Sequence, residues 1–436
     1  MGRIAMKLKR GWLAATLVAC ATAAHAGAPQ PFPEEIGLDW NDLRDLLRDQ
    51  GIDFRIGYVS ESATNVKGGT RELWRYTDQW TFATKLDLQK LFGISHAQFN
   101  MVITDRNGRN LSDDAKLDSL QQVQELYGRG QTWRWTEFFY DQTYLDGKID
   151  WKIGRTPTGD DFGSFSCEFV NLTFCGSQPG NVVGSYWYNW PVSQWATRVK
   201  VNINGFGYVE LGALEINPSY LLTRYALDFG SPPGATGVLA PLEIGWLPTI
   251  GGLGGSYKFG GWYSSTSAPD VVENTARQPL AIDGGEPLMR HGQYGAYINF
   301  QQRLTAPAGV NSKRGISVFL NGTYADHRTS GLDSQVALGM LYTGPFSARA
   351  ADELGFALGE THVNPRIGDV ETLQNDEGHV PPVNVQGTEY VGEVFYKVQC
   401  ASWVDLRPSI QYVVQPGGIV RNASDLIAGL RISANF

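Results

Sequence analysis

The segment Leu426–Phe436, with the sequence LIAGLRISANF, has side chains that alternate between apolar and mostly polar. One set of alternate positions holds Leu426, Ala428, Leu430, Ile432, Ala434 and Phe436, and the other holds Ile427, Gly429, Arg431, Ser433 and Asn435. Successive side chains of a strand point to opposite faces of a sheet. We therefore predict a strand with one apolar and one mostly polar face, which fits either a soluble sandwich or the wall of a transmembrane barrel.

The same alternation recurs along most of the chain. Further alternating segments begin at Trp80, Ala97, Ile149, Trp195, Tyr294, Ile316, Val394 and Ile410. No linker divides the chain into the units of about 100–150 residues that soluble sandwiches form. At roughly 25 residues for a strand and its connection, about 16 strands result, and barrels with an aqueous channel have about 16–18. We predict an all-β fold, a transmembrane antiparallel β-barrel of about 16 strands.

The first 26 residues have the features of a secretory signal peptide. The basic segment Arg3–Arg10 precedes the apolar segment Gly11–Ala24, and Ala24–Ala26 is a cleavage site of the small-x-small type. The segment Leu17–Cys20 also resembles a lipoprotein processing box, so acylation of Cys20 is an alternative. We favour cleavage after Ala26, which removes four cations and changes the formal net charge from −8 to −12. This acidic balance argues against nucleic acid as a partner, because nucleic acid binds basic patches.

We predict two further parts, an N-terminal segment at residues 27–50 and a barrel at residues 51–436. A short helix is expected at Ile36–Gln50, where apolar residues recur at helical spacing before Gly51. We interpret this helix as a periplasmic cap or plug. Segments rich in Gly, Pro and Asp predict longer loops at Gly159–Gly180, Phe229–Gly237, Ala268–Met289 and Arg366–Gly387. The chain has 13 Trp, 19 Tyr and 20 Phe, and such residues form the aromatic girdles of transmembrane barrels.

Several local motifs together resemble one known family. They are Gly154-Arg155-Thr156, the segment Cys167–Cys175, NWPVSQWA at 189–196, Glu215-Ile216-Asn217-Pro218, and Leu406-Arg407-Pro408 followed by QYVVQPGG at 411–418. The chain resembles the carbohydrate-selective porins of the OprB type from Gram-negative outer membranes, over essentially its whole mature length. The resemblance implies a 16-stranded barrel in the outer membrane that admits glucose and other small sugars. Secretion places Cys167 and Cys175 in an oxidising compartment, which favours a disulfide between them over metal binding.

A sugar pore needs charged groups that pair with hydroxyls and flat aromatic surfaces that contact the pyranose ring. Our candidates for the pore constriction are Trp74, Arg75, Arg106, Arg109, Arg134, Glu137, Arg155, Arg198 and Glu210. For each one, the alternative is a solvated charge of the lumen or a loop. The expected partners are monosaccharides, small oligosaccharides, outer-membrane lipid and lipopolysaccharide, with a homotrimer possible.

The alternative function is that of a periplasmic or outer-membrane all-β protein that binds sugars or hydrolyses glycosides. Two carboxylates could perform glycoside hydrolysis, and Asp160 with Asp161 or Glu353 with Glu360 are the candidates. The sequence has no His-Glu-x-x-His, no Gly-x-Ser-x-Gly and no phosphate-binding Gly-Lys-Ser/Thr motif. We therefore expect no enzyme activity and no cofactor.

Overall fold

A computed structural model describes residues 40–307, 309 and 312–436. The predicted signal peptide, residues 1–26, and the segment up to residue 39 lie outside the described residues. Sixteen strands form the wall: β1 Ile52–Lys67, β2 Trp74–Asp87, β3 Ala97–Gly108, β4 Trp133–Tyr144, β5 Ile149–Thr156, β6 Gln194–Ile203, β7 Gly207–Ile216, β8 Gly237–Trp246, β9 Leu253–Asn274, β10 Pro287–Arg303, β11 Gly315–Ala325, β12 Leu332–Thr343, β13 Glu353–Val363, β14 Thr388–Ala401, β15 Val404–Val414 and β16 Asp425–Asn435. A two-residue strand, Thr249–Ile250, pairs only with the start of β9.

Each wall strand pairs antiparallel with the next, and β1 pairs with β16, so the sheet closes into a barrel. The closing register sets Ser60 opposite Ile432 and Glu61 opposite Arg431. Closure leaves no strand edge with unpaired backbone groups, which is the condition for a sheet to cross a membrane. The prediction of an antiparallel barrel of about 16 strands is confirmed.

Seven short α-helices accompany the wall within the described residues. They are α1 Trp40–Asp49, α2 Leu88–Phe92, α3 Leu111–Ala115, α4 Thr158–Asp161, α5 Gln178–Val182, α6 Leu280–Asp283 and α7 Pro365–Asp376, and short 3₁₀ turns lie at Leu172–Phe174, Pro218–Leu221, Thr223–Tyr225 and Pro416–Gly418. None of the described helices has both the length and the apolar character needed to span a membrane.

Two loop predictions were wrong in part, because α7 occupies half of the segment at 366–387 and β9 runs six residues past Ala268.

The wall is polar inside and apolar outside. Buried inward side chains include Glu61, Gln79, Thr104, Arg106, Arg198, Glu210, Glu243, Asn321, Gln335, Glu393, Arg407 and Gln411. Exposed outward side chains include Leu211, Leu242, Phe259, Leu320, Leu338, Phe356, Leu358, Val394 and Ile410. A sandwich core is apolar, so this arrangement excludes the sandwich and fits a barrel surrounded by lipid. In β16 the inward Ile427 is the exception, and it packs beneath an inward-folded loop that contains Leu111 and Val123.

The two ends of the barrel differ in the length of their connections. Strands at one end are joined by short turns such as 145–148, 204–206 and 402–403, whereas the other end carries loops at 109–132, 157–193, 217–236 and 364–387. Transmembrane barrels have short periplasmic turns and longer extracellular loops. Helix α1 lies at the short-turn end against outward residues of β1 and β2, including Phe54 and Thr84. It therefore does not plug the lumen, and that part of the prediction was wrong.

Inward aromatic rings lie flat over glycines of the neighbouring strand. Five directly opposed pairs have this arrangement: Tyr208 with Gly245, Trp262 with Gly295, Tyr297 with Gly260, Phe319 with Gly339, and Phe395 with Gly355. A Cβ atom at Gly355 would lie 2.2 Å from the Phe395 ring, and one at Gly260 would lie 2.0 Å from Tyr297. The missing side chain lets each ring rest against the wall, which keeps it out of the lumen.

Gly355→Ala should therefore destabilise the barrel, because the new Cβ collides with Phe395. Overpacking of this kind costs about 1–3 kcal/mol. We expect a lower temperature for the heat-induced shift in electrophoretic mobility. Gly254→Ala is the matched control, since its Cβ would meet no atom within 4 Å. Equal unfolding temperatures for the two variants would contradict the proposed role of these pairs.

Candidate functional site

Two loops fold into the lumen and narrow it. We call residues 109–132 loop L2 and residues 157–193 loop L3. Loop L3 crosses the barrel, where Thr323 of β11 donates a hydrogen bond to Gln178 of α5 at 3.0 Å and Gly359 of β13 lies against Thr173. Loop L2 bonds to L3 through the backbone, since Glu125 N donates to Val170 O at 2.8 Å and Leu172 N donates to Gln122 O at 2.9 Å. The two loops thus form one layer across the pore.

Buried carboxylates of the wall hold this layer by accepting hydrogen bonds from loop amides. Glu393 accepts from Val170 N at 2.9 Å and from Asn171 N at 2.8 Å. The others pair as follows: Glu61 with Leu126 N at 3.2 Å, Glu243 with Gly163 N at 2.7 Å, and Glu389 with Leu120 N at 2.7 Å. Bonds from amides to a charged acceptor are stronger than neutral ones. We call Glu61, Glu243, Glu389 and Glu393 the wall carboxylates.

A disulfide and an ion pair complete the attachment of L3. Cys167 and Cys175 are bonded to each other, and Glu168 between them pairs with Arg407 of β15 at 2.9 Å. Burial alone would raise the pKa of Glu168, but Arg407 and Lys397 outweigh burial and hold that pKa below its ordinary value. Among the described residues, one group of potential metal ligands joins Glu125 to these two sulfurs. Because the sulfurs are bonded to each other, they do not offer thiolates to a metal.

A cavity of about 480 Å³ lies between the loop layer and the wall. Its lining includes the charged residues Arg106, Glu125, Asp160 and Arg431 together with Gln79 and Trp190, and we call these six residues the eyelet. They come from β2, β3, L2, L3 and β16, so the eyelet exists only when the barrel is closed and both loops are folded inward.

Hydrogen bonds fix the eyelet side chains relative to one another. Gln79 Oε1 accepts from Arg106 Nε at 2.8 Å and from Trp190 Nε1 at 3.1 Å. On the other side, Arg431 Nη1 donates to Glu125 Oε1 at 3.0 Å. No hydrogen bond joins Arg106 Nη2 or Glu125 Oε2 to another described residue. A cation donor and a carboxylate acceptor are thus available around one cavity.

Of the residues predicted for the constriction, Arg106 lies in the eyelet. Arg106 is part of β3 and is 4% exposed. Arg134 and Arg155 are buried too, but their guanidinium groups bind loop carbonyls: Arg134 donates to Tyr220 O at 2.6 Å, and Arg155 donates to Asp228 O and Ser193 O. These two arginines hold the loops in position.

Arg198 and Glu210 belong to a charged network on the wall formed by β5–β7. Arg198 pairs with Asp150 at 3.0 Å and with Asp161 of L3 at 3.5 Å, while Glu210 pairs with Lys200 at 3.1 Å. Glu137 follows Thr136 at a β-bulge in β4, and the bulge directs both side chains inward. These residues lie near the eyelet but are outside its lining.

Trp74, Arg75 and Arg109 lie at the outer rim. Trp74 is 45% exposed on the outward face and stacks with Tyr76. Arg75 and Arg109 both bind Asp114 of α3, with Arg109 Nε 2.8 Å from Asp114 Oδ2. The Arg109 guanidinium, followed by that of Arg75, lowers the pKa of Asp114. This placement separates all three residues from the eyelet, and Trp190 provides the aromatic surface that we had assigned to Trp74.

Five eyelet residues were not among those predicted for the constriction: Gln79, Glu125, Asp160, Trp190 and Arg431. Two signals were present, because Trp190 begins the Trp-Pro-Val-Ser motif and Arg431 is the only charged residue in the segment Leu426–Phe436. Gln79 and Glu125 carried no local signal, since only closure of the barrel and folding of L2 bring them to the cavity.

Comparisons with known proteins agree with this architecture. The model of the family described as "Carbohydrate-selective porin, OprB family" matches residues 71–436. The chain belongs to the OprB family of carbohydrate-selective porins. It is 40% identical to Porin B of Pseudomonas aeruginosa, over 95% of this chain and 94% of that protein. It is 34% identical to the putative porin QuiX of Acinetobacter baylyi, over 91% and 92% of the two chains. The high-pH structure of Pseudomonas putida OprB matches with a TM-score of 0.90 and 40% identity, over 94% of this chain and all of that one.

Membership defines the general function and the location of this OprB-family protein. It is a carbohydrate porin of the Gram-negative outer membrane. The family is a family of channels and not a class of enzymes. The long loops at one end of the barrel then face the exterior.

Glu393→Ala should loosen L3 and widen the pore. The substitution leaves the amides of Val170 and Asn171 without their acceptor, at a cost of about 1–3 kcal/mol for each buried group. We expect a higher single-channel conductance in planar bilayers, together with faster entry of disaccharides into liposomes. Glu377→Ala, in an exposed loop, is the control and should behave like the parent protein. Unchanged conductance in Glu393→Ala would show that the wall carboxylates do not position L3.

Proposed function

We propose that the eyelet binds one small sugar at a time during its diffusion through the pore. The observation that supports this most is the cavity of about 480 Å³ that the loops and the wall enclose around Arg106, Glu125 and Trp190. Arginine and carboxylate groups supply the donors and acceptors that sugar hydroxyls require. The indole of Trp190 supplies a flat apolar surface for the carbon face of a pyranose.

Binding in such a site must be weak enough for release. The eyelet side chains are already hydrogen-bonded to one another, since Arg431 binds Glu125 and Arg106 binds Gln79. A sugar therefore forms hydrogen bonds with Arg106 Nη2 and Glu125 Oε2 and replaces water there. The protein rearranges little when this happens. Selectivity then comes from the size of the opening and from its hydrogen-bonding groups. We propose that monosaccharides and small oligosaccharides are the substrates.

We also propose that the protein does no covalent chemistry on these sugars. Glu353 points inward and pairs with Lys397 at 3.2 Å, whereas Glu360 lies on the outward face of the same strand. Asp161 is bound to Lys152 at 2.6 Å and to Arg198, while Asp160 lines the cavity. Hydrolysis requires two free carboxyl groups, one on each side of the glycosidic bond. Neither of these pairs provides that arrangement.

A polar patch on the lipid-facing side of β1–β3 supports assembly into a homotrimer. Its outward residues are Ser60, Ser62, Thr64, Asp78, Asp105 and Asn107. Polar groups in contact with lipid are costly unless they find partners. One buried oxygen of Asp78 has no hydrogen-bond partner among the described residues. We propose that neighbouring copies cover this patch and that lipid and lipopolysaccharide contact the remaining outer surface.

We also propose that the chain divides into a signal peptide, an N-terminal segment and a barrel at residues 26 and 50, with cleavage after Ala26.

Arg106→Ala should weaken the interaction between sugar and eyelet. Loss of a charged hydrogen-bond donor costs about 1.5–3 kcal/mol, equivalent to roughly a tenfold or larger rise in the glucose concentration that half-blocks the ion current. The measurement is sugar-dependent block of single channels in planar bilayers. Arg109→Ala removes an arginine of the outer rim and should retain the parental half-blocking concentration. An equal effect of both substitutions would place the binding site outside the eyelet.

Ser62→Trp should disrupt the homotrimer, because the indole would occupy the polar patch. We expect native mass spectrometry from mild detergent to give three copies for the parent protein and one for the variant. Leu358→Trp, on the exposed wall at β13, is the matched control and should remain trimeric. A monomeric parent protein, or a trimeric Ser62→Trp protein, would refute assembly through this patch.

A further inference from the structure

Helix α1 carries two exposed leucines on the outside of the barrel. Leu43 is 45% exposed and Leu46 is 54% exposed, whereas the intervening and following residues Asp45, Arg48 and Asp49 are charged. Leu43, Leu46 and Leu47 follow the i, i+3, i+4 spacing of one apolar stripe. An amphipathic helix gains stability by burying such a stripe, yet only Leu47 is half-buried against the described protein.

Helix α1 lies next to the outward face of β1 and β2, so its apolar stripe borders that face. Between α1 and the barrel lies a cavity of about 340 Å³ lined by Leu43, Arg44, Leu47, Ile52, Phe54 and Thr84. The register of β1 and β2 sets Ile52 and Phe54 on the same face as Tyr58 and Trp80. That face is the outward one, and Ile52 and Phe54 lie at its short-turn end, below the polar patch of Ser60, Ser62 and Thr64 that we assign to neighbouring copies. The apolar stripe of α1 is therefore continuous with the lipid-facing wall at the short-turn end.

Polar contacts fix α1 beside the seam where the barrel closes. Arg44 is buried, and its Nη1 donates to the backbone oxygen of Phe436, 3.4 Å away. Lys90, which follows β2, donates to Arg48 O at 3.1 Å. The Phe436 ring stacks with Trp80, with ring centroids 6.0 Å apart. Helix α1 thus contacts β1, the turn after β2 and the end of β16.

We propose that α1 is an interfacial helix whose Leu43 and Leu46 insert among the acyl chains of phospholipids around the short-turn end of the barrel. The charged side chains of Asp45, Arg48 and Asp49 then lie at headgroup level, in contact with water. Helices of this type lie in the plane of the interface with the apolar face about 5–10 Å below the headgroups.

The chemistry of the helix favours lipid over a protein partner. Two leucines form too small a surface for a stable protein interface, which requires roughly 800 Å² on each side. Because acids and bases are mixed on the polar face, attraction to an anionic partner is weak, and burial of apolar area is the main source of binding. Lipid contact would also hold Arg44 on Phe436 and so brace the closing pair of strands.

Site-specific photo-crosslinking in liposomes tests this proposal on the full-length protein. A benzophenone amino acid replaces Leu46 in one variant and Asp49 in a matched control, with fluorescent phosphatidylethanolamine in the bilayer. We expect a fluorescent protein–lipid adduct from position 46 and loss of that adduct at position 49. Absence of the adduct at position 46, equal adducts at both positions, or a protein–protein adduct as the main product would overturn the proposal.

A second measurement does not depend on the crosslinker. Leu46→Asp should lower the unfolding temperature of the barrel in liposomes more than Asp49→Ala does, because an acid cannot replace leucine among acyl chains. In a detergent micelle, which adapts to the new surface, the difference between the two variants should shrink. An equal loss in liposomes and detergent would indicate that Leu46 stabilises the barrel without lipid, and it would also overturn the proposal.

Discussion

One closed sheet forms this protein, and its side chains must be polar on the inside and apolar on the outside. The other features of the structure follow from this requirement. Inside, side chains such as Glu393 and Arg407 find partners in loop L3. Outside, residues such as Leu211 and Phe259 remain exposed, which is stable only next to hydrocarbon. Closure between β1 and β16 satisfies the backbone without an edge. The lumen, the loops and the eyelet all follow from that closure.

A polar lumen brings a second requirement, since loops folded into it must be held without a large hydrophobic core. The wall carboxylates meet this requirement by binding backbone amides of L2 and L3. A small apolar cluster assists them, because Phe169 and Phe174 of L3 pack against Phe319 and Phe395 of the wall. Those same wall rings lie flat over glycines, so one set of residues both shapes the lumen and seats the loop.

Periodicity was sufficient to predict the barrel because a period of two is a local property of each strand. The alternation in Leu426–Phe436 indicated both faces, and Ile427 alone differed because L2 covers it. The eyelet was harder to predict, because its residues are distant in sequence and meet only across the closed barrel. An arginine beside aromatic residues was a poor guide: Arg134 lies between Trp133 and Trp135, yet it binds a loop carbonyl. The prediction for Trp74 failed for a similar reason, because a tryptophan at the end of a strand is also typical of the membrane interface.

The most direct test of the account is the entry of neutral sugars into liposomes that contain the unmodified protein. A water-filled pore with a narrow polar eyelet predicts rapid swelling with monosaccharides, slower swelling with disaccharides and very little with longer chains. The protein should produce this order in a lipid bilayer without any energy source. Liposomes that fail to swell in any sugar, or that swell equally for all sizes, would contradict a sugar-conducting pore narrowed by L2 and L3.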